Sequence, residues 1–545
     1  MKRIYLLLLS VHTLHASTIW AQVESHNPVT PYWKIKGNSG TDATQHFIGT
    51  TDNVSLKFKI NNTHAGLIDS FLFNTFLGYR SGEMIVTGNA NTSMGYKSMS
   101  SNTDGFYNTA IGTNTLRANT SGANNTAVGF HALRNNTAAN GNVAVGSYVL
   151  QNNSGESNVG VGYSALGLNT TGNWNNAMGH FSMLYNTTGN YNTAIGHQSL
   201  GSNTTGNENT ALGTQALYAN SNGNFNTACG VNTLYSNTSG SRNAALGYMC
   251  LFNNNTGFEN VAIGNEVMFS NQNGWANVAI GRNTMYQNIN GLGNVGIGYY
   301  AMYSNTSGAD NSSIGNQAMH LNTTGAGNTG VGGYAVYQNT TGQGNVGVGY
   351  QALYNNQTGL NNTAVGRQAG GAFGFNPSNF SSFGYLAGWV GTNSNTIEIG
   401  NTSVFYIGGQ VGWSSFSDAR IKRDVKADIP GLQFINLLRP VSYQFDIHQQ
   451  NKMVYGTSDT LQWEGKYDIE KKRMTGFIAQ EVEQAAKNCN YNFSGLHIPH
   501  SPDKLYSLTY AEFVVPLVKA VQELSEENKV LKTEIAAIKN LLKLR

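Results

Sequence analysis

The sequence predicts a mainly β protein: an elongated β-solenoid or β-roll rod, followed by a small α+β domain that ends in a long coiled-coil helix. The rod is indicated by the Gly of an "NTAIG"-like pentad, which recurs eighteen times from residue 78 to residue 366 at 17-residue steps with one 16-residue step. A repeat this short, kept over so many copies, is typical of a solenoid. The second domain is indicated by charge, because residues 74–370 hold 14 charged side chains and residues 417–545 hold 34.

The N-terminus "MKRIYLLLLSVHTLHASTIWAQ" has two basic residues, Lys2 and Arg3, then a short apolar run, and the small residue Ala21 before a polar one. This pattern predicts a secretory signal over residues 1–21, because the apolar run is far shorter than a membrane-spanning helix needs. A buried N-terminal strand is the alternative. We expect a secreted or cell-surface protein with no membrane-spanning segment in the mature chain. Residues 22–73 form an N-terminal segment to which the sequence assigns no role.

Each repeat, as in "NTAIGTNTLRANTSGAN" from residue 108 to residue 124, alternates apolar with small residues and ends in an Asn/Gly cluster. The pattern predicts one strand, a bend at Gly, a short second strand and an Asn/Gly turn. Asn and Gly accept a positive φ, and stacked Asn side chains can form a ladder of amides. No proline occurs between Pro31 and Pro377, as expected if every rung donates backbone N–H groups to the next. We assign residues 74–370 to the rod and residues 371–416 to a stem.

Composition argues against several classes of function. The net charge of +3 predicts no nucleic-acid partner. Cys229, Cys250 and Cys489 are odd in number and scattered, which suits neither a disulfide framework nor a zinc site, so we interpret all three as packing residues. No metal and no cofactor is predicted.

The 17-residue units resemble the head repeats of trimeric, YadA-like bacterial adhesins, in which three chains associate side by side. The resemblance implies a homotrimer that binds an extracellular glycan or surface ligand through its rod. Two other functions stay open: a purely structural fibre, and a polysaccharide-degrading enzyme of the kind found in phage tailspikes.

Glycoside hydrolysis needs two carboxyl groups roughly 5–10 Å apart. Glu208, Glu259 and Asp310 share one column of the repeat but lie three rungs apart in turn. Glu259 and Glu266 share a rung, and seven extended residues separate them by roughly 23 Å. The sequence therefore predicts no turnover activity for the rod.

Four motifs follow the rod in order, and together they resemble the peptidase S74 family, the intramolecular chaperone domain of phage tailspikes and endosialidases. The resemblance implies that residues 417–545 trimerise, assist folding of the fibre, and then cut themselves off on the N-terminal side of the motif serine. The motifs are "SDARIK" (417–422), "PGLQFINLLRPVSYQFD" (430–446), "TGFIAQEVEQ" (475–484) and "YSLTYAEFVVPLVKAVQEL" (506–524).

By this resemblance Ser417 is the nucleophile, Lys422 is the general base, and the bond cut lies between Phe416 and Ser417. Asp418 is expected to orient the motif. The implied activity is that of a single-turnover serine autoprotease with a Ser–Lys dyad.

The residue types suit this chemistry. A serine hydroxyl is a weak nucleophile, and a lysine can serve as its base if burial or nearby positive charge lowers its pKa. Arg420 and Arg423 flank Lys422, so a lowered pKa is expected there. The alternative is a charged surface strand in which Ser and Lys coincide by chance. The other candidate bases are His448, His497 and His500.

The end of the chain follows a heptad pattern, which predicts a coiled coil with one polar residue that sets the register. The seam and the S74 resemblance both favour a homotrimer, although the seam alone would also suit a dimer. A single amphipathic helix on the surface of a monomer is the other interpretation. The predicted seam consists of Val514, Leu517, Val521, Leu524, Asn528, Leu531, Ile535, Ile538 and Leu542.

Overall fold

The fold class predicted from the sequence is confirmed: a long stack of short strands is followed by a small α+β region that ends in a long helix. The predicted signal, residues 1–21, lies outside the described residues, as does His500. The structure is a computed structural model, and it describes residues 41–371, 376–388, 394–404, 406–410, 412–455, 462–499 and 505–543.

The stack begins with an antiparallel hairpin, β1 (Leu56–Ile60) and β2 (Thr63–Ile68), and β2 pairs antiparallel with β3 (Thr75–Leu77). From β3 to β22 every strand pairs parallel with the next, so the chain rises one rung per repeat. The remaining strands are β4 (Thr92–Met94), β5 (Thr109–Ile111), β6 (Thr126–Val128), β7 (Val143–Val145), β8 (Val159–Val161), β9 (Asn176–Met178), β10 (Thr193–Ile195), β11 (Thr210–Leu212), β12 (Thr227–Cys229), β13 (Ala244–Tyr248), β14 (Val261–Asn265), β15 (Val278–Ile280), β16 (Val295–Ile297), β17 (Ser312–Ile314), β18 (Thr329–Val331), β19 (Val346–Val348), β20 (Thr363–Val365), β21 (Ser381–Phe383) and β22 (Ile397–Ile399).

The stack extends beyond residue 370, into the segment that the sequence assigned to a stem. Thr363 of β20 pairs with Ser381 of β21, and Ser381 pairs with Ile397 of β22, at steps of 18 and 16 residues. An added or missing residue changes the length of a surface turn without changing the strand register. These two rungs were not predicted from the sequence, because their steps of 18 and 16 residues break the 17-residue period.

The second strand predicted in each repeat is wrong. The pair of residues predicted to start that strand, such as Thr115 and Leu116, lies in a turn, and Leu116 has a φ of 46°. An extended strand cannot contain a left-handed residue, but a turn can, and this turn directs the buried Leu side chain into the core. The backbone still ladders between rungs, because the N–H of Leu116 donates to the carbonyl of Ala132 at 3.1 Å.

The core of the rod alternates small and large residues. The middle residue of a strand, such as Ala110 or Ala127, points inward and meets buried residues such as Leu116. The Gly of the pentad allows the rungs to approach closely: Gly112 has a φ of +132°, and a Cβ there would lie 2.5 Å from the carbonyl oxygen of Gly129. Any larger residue would therefore separate the rungs.

The amide ladder expected from the sequence is confirmed, and two buried ladders run along the part of the rod that the structure describes. One runs through the residue that precedes each strand: Asn91 Nδ2 donates to Asn74 Oδ1 at 3.1 Å, and the bond repeats up the rod. The other runs through the Asn/Gly turn, where Asn119 Nδ2 donates to Asn102 Oδ1 at 2.9 Å. All four of these side chains are buried. Buried amides that satisfy one another specify the register of every rung.

The C-terminal region packs around a small core that includes Phe434, Val482, Phe493 and Phe513. Among the described helices, none is long and apolar enough to cross a membrane. The helices are α1 (Leu432–Ile435), α2 (Ile447–Tyr455), α3 (Ala479–Asn488) and α4 (Val514–Lys543), with single 3-10 turns at Ala419–Ile421, Asp468–Lys471 and Tyr510–Phe513. The strands form two antiparallel pairs, β23 (Val441–Tyr443) with β24 (Met474–Gly476), and β25 (Leu496–His497) with β26 (Ser507–Leu508).

Candidate active site

Ser417 lies at the start of a tight turn at the boundary between rod and C-terminal region. Asp418 is the residue before the 3-10 turn Ala419–Ile421, and its carboxylate accepts a hydrogen bond from the backbone N–H of Arg420 at 2.8 Å. Such a cap satisfies a donor that the short helix leaves without a partner. The turn reverses the chain enough to return Lys422 to the side chain of Ser417.

The structure brings together the two residues that the sequence named as nucleophile and base. Lys422 Nζ lies 2.7 Å from Ser417 Oγ, within hydrogen-bond distance. While the lysine is protonated, its ammonium group donates to the hydroxyl. Once it loses that proton, the amine can accept the hydroxyl proton of Ser417 across the same contact, which is the geometry that a nucleophile and its base need.

Asp418 contacts Arg420 and not the dyad in the described structure. The guanidinium of Arg420 donates to Asp418 Oδ2 at 2.6 Å, and the hydrogen bonds from the Arg420 side chain and backbone lower the pKa of the Asp418 carboxyl. Because this carboxylate lies against Arg420, it offsets the positive charge that the sequence placed beside Lys422. Asp418 therefore orients the turn by capping it.

The dyad lies at the surface of the single chain. Phe416, which precedes the Phe416–Ser417 bond that is expected to be cut, is 97% exposed. Ile421 and Val425 nearby are 65% and 81% exposed. Three large apolar side chains in water around one short turn mark a surface that another protein surface can cover.

Two other candidate bases lie within the described residues, and each of them is hydrogen-bonded to a group other than Ser417. His448 Nδ1 lies 2.9 Å from Glu470 Oε1, and its ring stacks on Tyr467 with centroids 3.9 Å apart. His497 Nε2 lies 2.8 Å from Thr509 Oγ1. Of the candidate bases within the described residues, Lys422 is thus the one in contact with Ser417.

A possible metal site, which sequence reasoning missed, is formed by Asp446, His448 and Glu470, whose ligand atoms lie within 4.8 Å of one another. Helix capping explains this cluster. Glu470 Oε1 accepts from the backbone N–H of Ile447 at 2.7 Å, and Asp446 Oδ1 accepts from the N–H of Gln449 at 2.8 Å. Partial burial acts to raise the pKa of Glu470, but hydrogen bonds from His448 and the backbone outweigh it, so the pKa is lowered. Long-range contacts of this kind leave no spacing signal in the sequence.

Glu259 and Glu266, the two carboxylates that share a rung, bond to neighbouring rungs and not to each other. Glu259 pairs with Arg242 of the preceding rung at 3.5 Å, and Glu266 accepts a hydrogen bond from Asn283 of the following rung at 3.1 Å. Cys250 is buried in the rod, and burial raises the pKa of its thiol to about 11. Its environment is that of a packing residue, as the sequence predicted.

Comparison with known proteins bears on the C-terminal region. No curated protein and no solved structure matches the chain. The likeness of the repeats to adhesin head repeats stays a prediction. Residues 417–491, which begin at the serine of the dyad, match the family model of peptidase S74, described as the chaperone of endosialidase, and this part of the chain is therefore identified as a chaperone-of-endosialidase domain.

Proposed function

We propose that the chain forms a secreted, trimeric surface fibre whose C-terminal domain directs assembly and then cuts the chain between Phe416 and Ser417. A β-solenoid rod joined to a chaperone-of-endosialidase domain fits a trimeric fibre with an intramolecular chaperone. The observation that carries the self-cleavage is the 2.7 Å contact between Ser417 Oγ and Lys422 Nζ at the first residue of the matched segment.

The proposed reaction uses only groups of this chain and water. The neutral amine of Lys422 takes the proton from Ser417 Oγ, and the oxygen attacks the carbonyl carbon of Phe416. As the new C–O bond forms, the peptide C–N bond breaks and the nitrogen of Ser417 takes up the proton to become an amine. Water then hydrolyses the ester, which leaves a carboxylate on Phe416 and restores the hydroxyl. Each chain reacts once, because the reaction consumes its own peptide bond.

Exposed apolar residues along α4 support the trimer. The predicted seam stays in water on a single chain, with Leu517 49% exposed and Leu542 68% exposed. Its positions recur at steps of three and four residues, which suits burial against parallel helices of other copies.

The rod carries an exposed apolar stripe of its own, in addition to the seam on α4. The third residue of each strand from β3 to β22 points away from the core and is exposed or half-buried. A stripe of this length is matched rung for rung by another copy of the same rod, and association along it would remove apolar surface from water. The stripe consists of Leu77, Met94, Ile111, Val128, Val145, Val161, Met178, Ile195, Leu212, Cys229, Leu246, Ile263, Ile280, Ile297, Ile314, Val331, Val348, Val365, Phe383 and Ile399.

The proposed role of the assembled rod is to bind an extracellular glycan or surface ligand. Ring-bearing side chains on its turns support this role: Trp174 and Tyr191 stack with centroids 4.9 Å apart and are 48% and 55% exposed. Exposed rings of this kind mark interaction surfaces. Secretion is proposed from the predicted signal over residues 1–21.

The self-cleavage is tested on a denaturing gel with intact mass of the purified, folded chain. Wild-type protein should give a fragment that starts at Ser417. Ser417→Ala should stay at full length, and Lys422→Ala should react far more slowly because the hydroxyl loses its base. Lys426→Ala is the matched control, since Lys426 is an exposed lysine of the same segment that pairs with Asp424 at 2.8 Å. A Ser417→Ala chain cut at the same bond would contradict the proposal.

A further inference from the structure

Helix α2 of the C-terminal domain has a buried face that the core of that domain does not include. Ile447, Asn451 and Tyr455 are buried, and they recur every four residues, so they lie on one side of the helix. The apolar core of the domain is built instead on α1, α3 and the residues around Phe434, Phe493 and Phe513. Some other part of the chain must therefore contribute to the cover of this face.

The end of the rod supplies part of that cover. Thr402, three residues after β22, donates from Oγ1 to Asn451 Oδ1 at 2.5 Å, and its backbone N–H donates to the hydroxyl of Tyr455 at 3.4 Å. One rung below, Tyr385 meets Trp463 edge to face with ring centroids 5.4 Å apart. The domain thus contacts the last two rungs of the stack.

The ring of Trp463 is held in place from within the domain. The side-chain ammonium of Lys466 lies 4.9 Å from the Trp463 ring centroid and 5.4 Å from that of Tyr467, and Lys466 is only 2% exposed. A cation placed against two rings orients both of them. The surface that meets the rod is therefore ordered by contacts inside the domain itself.

These contacts join residues before Phe416 to residues after Ser417, so breaking the bond between them leaves the contacts intact. We propose that residues 417–545 stay docked on the end of the rod after the chain is cut and serve as its cap. This inference rests on the proposed self-cleavage.

A cap at this end has a physical purpose. The last strand of a stack is a template for pairing with another chain, and repeat proteins cover such ends with terminal units. At the other end the hairpin β1–β2 pairs antiparallel with β3 and covers the stack from within the chain. At β22 the parallel stack ends, and the C-terminal domain lies against that end.

The test cuts the chain independently of the dyad. A recognition sequence for a specific protease is inserted in the exposed segment before Phe416 of a Ser417→Ala chain, the folded protein is cut, and the rod is separated by size exclusion. We expect the fragment to elute with the rod. A fragment that elutes alone directly after the cut would overturn the proposal. If wild-type protein does not cut itself, the proposed function fails, but this protease-cut chain still tests the docking.

Variants locate the contact. Asn451→Ala combined with Trp463→Ala should reduce the fragment bound to the rod by about tenfold or more, since it removes a hydrogen bond and a ring contact. Gln449→Ala, on the exposed side of α2, is the matched control and should not reduce it. Thr402→Val changes the rod and leaves the sequence of the fragment as it is. It should speed release of the fragment by about two- to tenfold. Equal retention in Thr402→Val and wild type would show that the fragment is held elsewhere.

The capping role has its own measurement. Protease-cut rods of the Asn451→Ala, Trp463→Ala chain, once separated from the fragment, should join in pairs through their β22 ends and appear in electron micrographs at twice the length of one rod. Cut rods that keep the fragment should appear as single lengths. Stripped rods that stay single would show that the domain does not act as a cap.

Discussion

Replacing one buried asparagine tests whether the amide ladder holds the rod together. Asn226 lies in the middle of the rod and is fully buried. Its Nδ2 donates to Asn209 Oδ1 at 3.1 Å and to the carbonyl of Gly240 at 2.8 Å. Its Oδ1 accepts from the backbone N–H of Asn243 at 3.0 Å and from that residue's Nδ2 at 3.1 Å. Asn226→Ala therefore removes four hydrogen bonds from one rung.

The loss in the free energy of unfolding depends on which hydrogen-bond partners of Asn226 keep another bond in the variant. The carbonyl of Gly240 still accepts from Asn237 Nδ2 at 2.9 Å, but the buried N–H of Asn243 loses its acceptor. A buried donor without a partner costs about 1–3 kcal/mol, and each of the other three bonds contributes about 0.5–1.5 kcal/mol. The expected loss is roughly 2.5–7.5 kcal/mol per chain.

Hydrogen exchange of the folded protein is the appropriate assay, because a solenoid opens locally around a weakened rung. Amides of the rungs that contain Asn209, Asn226 and Asn243 should lose protection, while distant rungs should not. Asn222→Ala, an exposed asparagine of the same repeat, is the control and should change stability by no more than about 0.5 kcal/mol. Equal exchange in the two variants would refute the ladder as the source of rung stability.

Two further predictions concern pH and assembly. His320 stacks between Tyr303 and Tyr337, and burial lowers its pKa. The neutral imidazole therefore stabilises the fold fully above the unfolded-state pKa of about 6.5, and this stabilisation is lost as pH falls through and below that value. The melting temperature of the rod should therefore fall between pH 7.5 and pH 5, and His320→Tyr should reduce that fall; an identical fall in both proteins would contradict this. Leu531→Asp should dissociate the trimer in sedimentation experiments, whereas Lys532→Asp beside it should not. A trimer in both variants would show that the α4 seam does not hold the chains together.

The rod was predictable from the sequence because its order is local and periodic. A Gly at a fixed step and Asn at fixed positions report the rung and the ladder directly, as the bonds through Asn91 and Asn119 show. The second strand was not predictable, because alternating apolar residues look alike in a strand and in a turn. Only the positive φ of residues such as Leu116 separates the two.

The site was predictable only in part. Ser417 and Lys422 belong to one short motif, and a single turn brings them together. The capping of that turn through Asp418 and Arg420 also lies within the motif. By contrast, the contact between Thr402 and Asn451 joins residues 49 positions apart with no repeat between them. Contacts of that kind depend on how two folded units meet, which no local pattern indicates.

The role of the C-terminal domain in assembly is tested most directly by the mass of rods made with and without it. The full chain and a chain that ends at Phe416 are expressed in parallel, and the molar mass of each soluble product is measured by light scattering. We expect trimeric rods from the full chain, including chains cut after folding, and aggregated material from the shortened chain, because distant strands of three chains must find one register. Soluble, trimeric rods from the shortened chain would contradict it.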